Sequence, residues 1–169
     1  STDPGLPNIL SRQLVEGQAI ELMDGDHGFL PEKWVKAVFT SLANLIGHDK
    51  KMFVLSVIGI QSSGKSTLLN TMFGLELAVS AGRCTRGIYA QLLQTTHRAD
   101  LPFDCMLVLD SEGLRAHELS DQNYEHDNEL ATLVIGLADL ALINIKGENT
   151  TEMTSVLQIV AHAFLRMKL

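Results

Sequence analysis

Basic residues are in short supply in this chain. Thirteen lysines and arginines stand against twenty aspartates and glutamates, giving a net charge of −7. That deficit excludes a general nucleic-acid binder, because a phosphate backbone is gripped by a surplus of cationic side chains. It does not exclude a nucleotide held in a glycine loop, where backbone N–H groups and one lysine do the work. Cysteine is nearly absent: Cys84 falls in a polar, loop-like stretch and Cys105 in a strand-like one. Their spacing fits neither a zinc site nor a disulfide framework, so both read as reduced thiols. Long apolar runs are missing too. A stretch such as Phe53–Ile60 is far below the ~20 residues that span a bilayer. The start shows no basic, then apolar, then small-residue pattern, so no signal peptide is expected and the cytosol, or the nucleus, is the expected location. No internal repeat or low-complexity tract is present.

What is present suits one globular domain: 169 residues, 46% of them apolar and 20% charged, enough for one core and too few for two. Pro7 to Val15 fits a short helix through Ile9, Leu10, Leu14 and Val15. Pro31 suits a first helical turn. Trp34, Val35, Val38, Phe39, Leu42, Leu45 and Ile46 follow at helical spacing until Gly47, predicting an amphipathic helix packed on a sheet. Phe53–Ile60, Ile88–Gln94, Cys105–Leu109 and Leu140–Ile145 read as strands, the last of them buried. Ser66–Phe73 reads as a helix with Leu68, Leu69 and Met72 inward, and Asn128–Leu137 as another. Asn149 and Glu152 form a capping-box pattern ahead of a helix from about Thr150 to Met167, with Met153, Val156, Leu157, Val160, Phe164 and Leu165 on its apolar side. Residues 74–86 and 110–127 read as loops. The alternation predicts an α/β fold, a three-layer P-loop sheet with helices on both faces.

Gly59-Ile60-Gln61-Ser62-Ser63-Gly64-Lys65-Ser66 fits G-x-x-x-x-G-K-[ST] at every fixed position, with a strand before it and a helix after it. Gly59 and Gly64 let the backbone curl close to phosphate oxygens, where a side chain would collide. The N–H groups of Ser63 and its neighbours, at a helix N-terminus, favour an anion. Lys65 is expected to reach the β- and γ-phosphates and the Ser66 hydroxyl to bind Mg²⁺. Asp110-Ser111-Glu112-Gly113 follows a second strand. There Asp110 can hold Mg²⁺ through water, and the Gly113 N–H can touch a γ-phosphate. Between the two lies Arg83-Cys84-Thr85-Arg86-Gly87. Thr85 stands where a GTPase closes its first switch on Mg²⁺ and the γ-phosphate; it also fits a plain surface loop. The acidic stretch from Glu112 to Glu129 reads as a solvated face. His117 and His126 lack zinc spacing, and Trp34 reads as a helix–sheet anchor.

These motifs carry a resemblance. Val57 through Gly74, Gly82–Gly87, Asp110–Leu114, Glu125–Thr132 and Ala163–Lys168 closely resemble the very large interferon-inducible GTPases, over roughly residues 6–169. The resemblance implies a dynamin-like large GTPase of the cytosol and nucleus, with GTP and Mg²⁺ as ligands and self-association through the G domain. It places the phosphate loop at Gly59–Thr67, the first switch at Thr85 and the second at Asp110–Gly113. By likeness to dynamins, Gln61 would orient the attacking water, in preference to the alternative of only hydrogen-bonding the loop, and Ser62 would help bind a charge-compensating cation. Guanylate-binding proteins carry an arginine finger at the position of Ser62, and such fingers are worth ~10³–10⁵ in rate. Its absence here implies slow basal turnover unless a partner, a cation, or Arg83 or Arg86 supplies the charge.

On this reading residues 1–50 form an N-terminal helical extension and residues 51–169 a partial P-loop G domain whose C-terminal part is missing. No N/T-K-x-D base-reading motif follows Ile145, so the residues alone leave guanine against adenine open. The isolated 169 residues are expected to bind nucleotide weakly through an open pocket and sheet edge. Three functions stay open: a GTP hydrolase, a nucleotide-loaded scaffold with little turnover, and an ATP-binding P-loop module. Membrane association and protein partners are not legible.

Overall fold

The computed structural model describes residues 5–24, 32–59, 68–71, 87–96, 98–112, 129 and 131–144, together with 154, 157–158, 160–162 and 165. Helix α1 (Leu6–Val15), strand β1 (Ile20–Asp24) and helix α2 (Glu32–Ile46) precede strands β2 (Met52–Gly59), β3 (Gly87–Gln94), β4 (Cys105–Glu112) and β5 (Leu140–Asn144). The strands form one mixed sheet in the order β1-β3-β4-β2-β5. β2 pairs in parallel with β4 on one side and β5 on the other. β3 runs antiparallel to both β1 and β4.

Strand alternation sends residues to two cores. Ile58, Ile88, Ala90, Leu92, Cys105, Leu107 and Leu109 face one layer, with Leu14 of α1, Val35, Val38 and Leu42 of α2, and Ala131, Val134 and Ile135 of helical residues 131–137. Leu55, Val57, Met106 and Val108 face the other, joined by Leu69 of helical residues 68–71. There Phe53 and Phe103 stack with ring centroids 4.8 Å apart. Helices therefore cover both faces, as the sequence pattern predicts.

The N-terminal fifty residues hold more than helices. The expectation of a helical extension overlooks β1, whose Ile20 and Leu22 are buried while Glu21 between them is exposed. Five residues with a register shift between Glu21 and Met23 give too short an alternation to stand out in sequence. Gly17 makes the turn into β1. Its φ of +84° lets its N–H reach the Leu14 carbonyl (2.9 Å) and the Gln18 N–H reach that of Gln13 (3.0 Å), closing α1. Gly47, at φ +104°, ends α2 in the expected place. Buried Ser11 donates to the carbonyls of Pro7 (2.7 Å) and Val38 (3.1 Å), joining α1 to α2. The Trp34 indole N–H donates to the Leu22 carbonyl at 3.1 Å, so Trp34 does anchor helix to sheet.

Several apolar assignments shift. Leu69 is buried, but Leu68 is 39% exposed rather than inward. On the C-terminal helical residues Val160 is buried while Leu157 and Leu165 are exposed; Met153, Val156 and Phe164 lie outside the described residues. β5 is not a buried strand. Leu140 and Ile143 are 43% and 37% exposed, because among the described residues β5 has a neighbour on one side only. No described helix is long and apolar enough to cross a membrane.

Candidate functional site

The three parallel strands β4, β2 and β5 end along one edge of the sheet. β2 lies between the others. The chain leaves it toward β3 and β4 on one side and returns to β5 on the other, so its C-terminal end is a topological switch point, where open α/β sheets bind ligands. Gly59 is the last residue of β2 and pairs with Asn144 of β5. Asp110 pairs with Val57 on β2 and with Tyr89 on β3. It shares the face of Val57, Met106 and Val108, against which Leu69 packs. Asp110 is half-buried, and its Oδ1 is shielded from solvent. The end of the glycine-bearing strand and the candidate Mg²⁺ carboxylate thus stand on neighbouring strands at one edge.

Two details extend the sequence reading. The 110–127 segment does not begin as a loop: β4 continues through Asp110, Ser111 and Glu112, all paired with β3. Ser111 had no assigned role, yet it is buried and its hydroxyl donates to the Val57 carbonyl at 3.0 Å. The signal was available in principle, since a hydroxyl between strand residues has to find an acceptor once buried. Its partner, fifty-four residues earlier, was not legible. Ile60, Gln61, Ser62, Ser63, Gly64, Lys65, Ser66 and Thr67 lie outside the described residues, as do Cys84, Thr85, Gly113, His117 and His126.

The opposite edge is built from backbone clamps. The Asp104 carboxylate accepts from the Lys51 N–H at 2.8 Å, and its own N–H donates to the Lys51 carbonyl at 2.9 Å. Asp139 does the same to Val54, both bonds at 2.8 Å. Ser56, buried in mid-strand, donates to the Val134 carbonyl at 2.7 Å. Cys105 is a free, buried thiol whose pKa is pushed up by burial first and by the Asp104 charge second. Such a thiol is a poor nucleophile. The entry edge is structural.

A URGCP-like GTPase domain profile matches residues 3–169. The chain belongs to the URGCP-like GTPase domain family. It is 55% identical over 165 residues to the human interferon-induced very large GTPase 1, an alignment covering 96% of this chain and 7% of that protein. Up-regulator of cell proliferation from mouse is 34% identical over 166 residues, covering 96% of this chain and 17% of that protein. The rice protein ROOT HAIR DEFECTIVE 3 homolog 1 is 29% identical over 133 residues, covering 76% and 15%. The GTPase domain therefore spans a small part of each relative's length. The resemblance to the very large interferon-inducible GTPases holds over nearly the whole chain.

Proposed function

We propose that this GTPase domain binds GTP with Mg²⁺ and hydrolyses it slowly. What supports this reading is that β2, the switch-point strand, ends at Gly59, the first residue of the G-x-x-x-x-G-K-S motif, next to the strand that carries Asp110, in a chain of a GTPase family. The donor set fits the cation. A carboxylate near the strand's end and serine and threonine hydroxyls from the loops are hard oxygen ligands of the kind Mg²⁺ takes alongside phosphates. Bound there, Mg²⁺ would neutralise charge on the phosphates.

The chain's own residues would divide the work. The loop amides and Lys65 hold the triphosphate, and Gly113 approaches its end. Ser66, Thr85 and, through water, Asp110 hold the cation. Gln61 orients the attacking water. With serine rather than arginine at position 62, turnover is slow until self-association or a cation at Ser62 supplies positive charge.

Phosphate release by the full-length protein, with GTP and ATP in competition, tests this. We expect Mg²⁺-dependent release that GTP sustains better than ATP and that Lys65→Ala and Gln61→Ala abolish. Release by Lys65→Ala at the wild-type rate would show the site to be misassigned, and an ATP preference would mark an ATP-binding module. A rate that climbs with protein concentration identifies assembly-stimulated catalysis; a flat, negligible rate with intact binding identifies a nucleotide-loaded scaffold.

A further inference from the structure

We propose that Ser111 is a positioning residue that ties the metal-binding end of β4 to the strand feeding the phosphate loop. The proposal rests on the nucleotide-site reading above. Ser111 is 1% exposed and sits in register with Ile58, one residue before Gly59. Its side chain points away from the face of Asp110, because Asp110 before it lies on the face of Val57 and Met106 while Ser111 continues the Leu107, Leu109 side. From there its hydroxyl donates to the carbonyl of Val57, the residue paired with Asp110 itself.

One hydrogen bond therefore joins the residue after Asp110 to the backbone two residues before Gly59. Strand rotation at this point would swing Asp110 about β4 relative to the loop. A bond on the far face opposes that rotation without occupying any of the ligand space. The consequence is specific: the spacing between Asp110 and Gly59, where the G-x-x-x-x-G-K-S motif begins, is set before nucleotide arrives.

Ser56 provides the internal control. It is also buried, on the same face, and also donates to a carbonyl, but that carbonyl is Val134 on helical residues 131–137. Removing either hydroxyl leaves a buried carbonyl short of one donor, so both changes carry a comparable stability effect. Only Ser111 touches the junction between the two ligand-bearing strands.

The test is Mg²⁺-titrated binding of GDP and GTP to the full-length protein by calorimetry, beside thermal melts without ligand. For Ser111→Ala we expect the half-saturating Mg²⁺ concentration to rise about 3- to 10-fold, the loss of one buried hydrogen bond expressed as affinity. Ser111→Thr, which keeps the hydroxyl, should restore it. Ser56→Ala should lower the melting temperature while leaving the Mg²⁺ requirement in place. If Ser111→Ala melts below the assay temperature, Ser111→Cys, with a weak donor of similar size, should fall between wild type and alanine in its Mg²⁺ requirement. A Mg²⁺ requirement unmoved in the Ser111 variants, or moved equally by Ser56→Ala, overturns the positioning role. Lys65→Ala in the same assay judges the site itself: unchanged nucleotide binding there defeats the underlying reading, whereas lost binding there with an unmoved Ser111 variant defeats only this proposal.

Discussion

The two ends of β2 use the same side chain for different purposes. At the entry end Asp104 and Asp139 each grip the strand's backbone by an accepted and a donated hydrogen bond. At the exit end Asp110 lies within β4 on the face against which Leu69 packs, and the backbone clamp comes instead from the neutral hydroxyl of Ser111. The cation role proposed for Asp110 and the structural role of Asp104 and Asp139 thus follow the edge that each occupies. In open α/β sheets only the C-terminal edge opens on a ligand crevice.

The contrast can be broken most sharply at the exit end. Lys65→Ala should weaken GTP binding or hydrolysis by at least about 100-fold, the scale on which one preorganised charge-stabilising donor acts, while the far-ultraviolet circular dichroism stays that of wild type. Next in size, Asp110→Ala and Asp139→Ala should part company. Asp110→Ala should remove Mg²⁺-dependent nucleotide binding. Asp139→Ala should keep that binding while losing about 1 kcal/mol of stability as the Val54 N–H loses its acceptor. Mg²⁺ dependence lost equally in both variants would erase the distinction between the edges. Asp104→Ala should resemble Asp139→Ala in denaturant titration, and the double variant should show whether the two clamps act independently on β2.

The smallest effect belongs to the entry-end connection between β3 and β4. Arg98 and Asp100 form a two-bond ion pair there at 2.8 Å, and the hydrogen bond from Arg98 brings the Asp100 carboxyl down to about 2 from its ordinary 3.8. A folded-state value below the unfolded one means the pair's contribution is complete above the unfolded value and is lost as pH falls through about 2. Asp100 is exposed and Arg98 partly so, and both are screened by solvent, so the contribution is slight. An NMR titration should place the Asp100 carboxyl well below the other exposed aspartates, and Arg98→Ala should return it to the ordinary range.

Much of the fold could be read along the chain because it depends on local pattern. The β-rich runs before the glycine loop and before Asp110 gave β2 and β4 to within a few residues, and Gly47 marked the end of α2. β1 escaped because five residues at a sheet edge leave one short alternation, and the pairing that stabilises them comes from β3, far along the chain. Leu140 and Ile143 read as buried because apolar runs do not disclose how many neighbours a strand will have. At the site, Gly59 at the end of β2 was legible, and Asp110 was expected to close a strand that in fact runs on to Glu112; the Ser111 bond was not legible, since a hydroxyl's partner across a sheet is fixed by register.

By itself the sequence determined the strands that lead into the G-x-x-x-x-G-K-S motif and the family, because residue type and spacing state which segments bury a face. Only the tertiary structure decided that Gly59 and Asp110 share one edge, that Asp104 and Asp139 belong to the other, and that Ser111 rather than Ser56 joins β4 to β2. Those relations arise from pairing between segments distant in the chain, where a shift of one residue would turn every side chain to the opposite face.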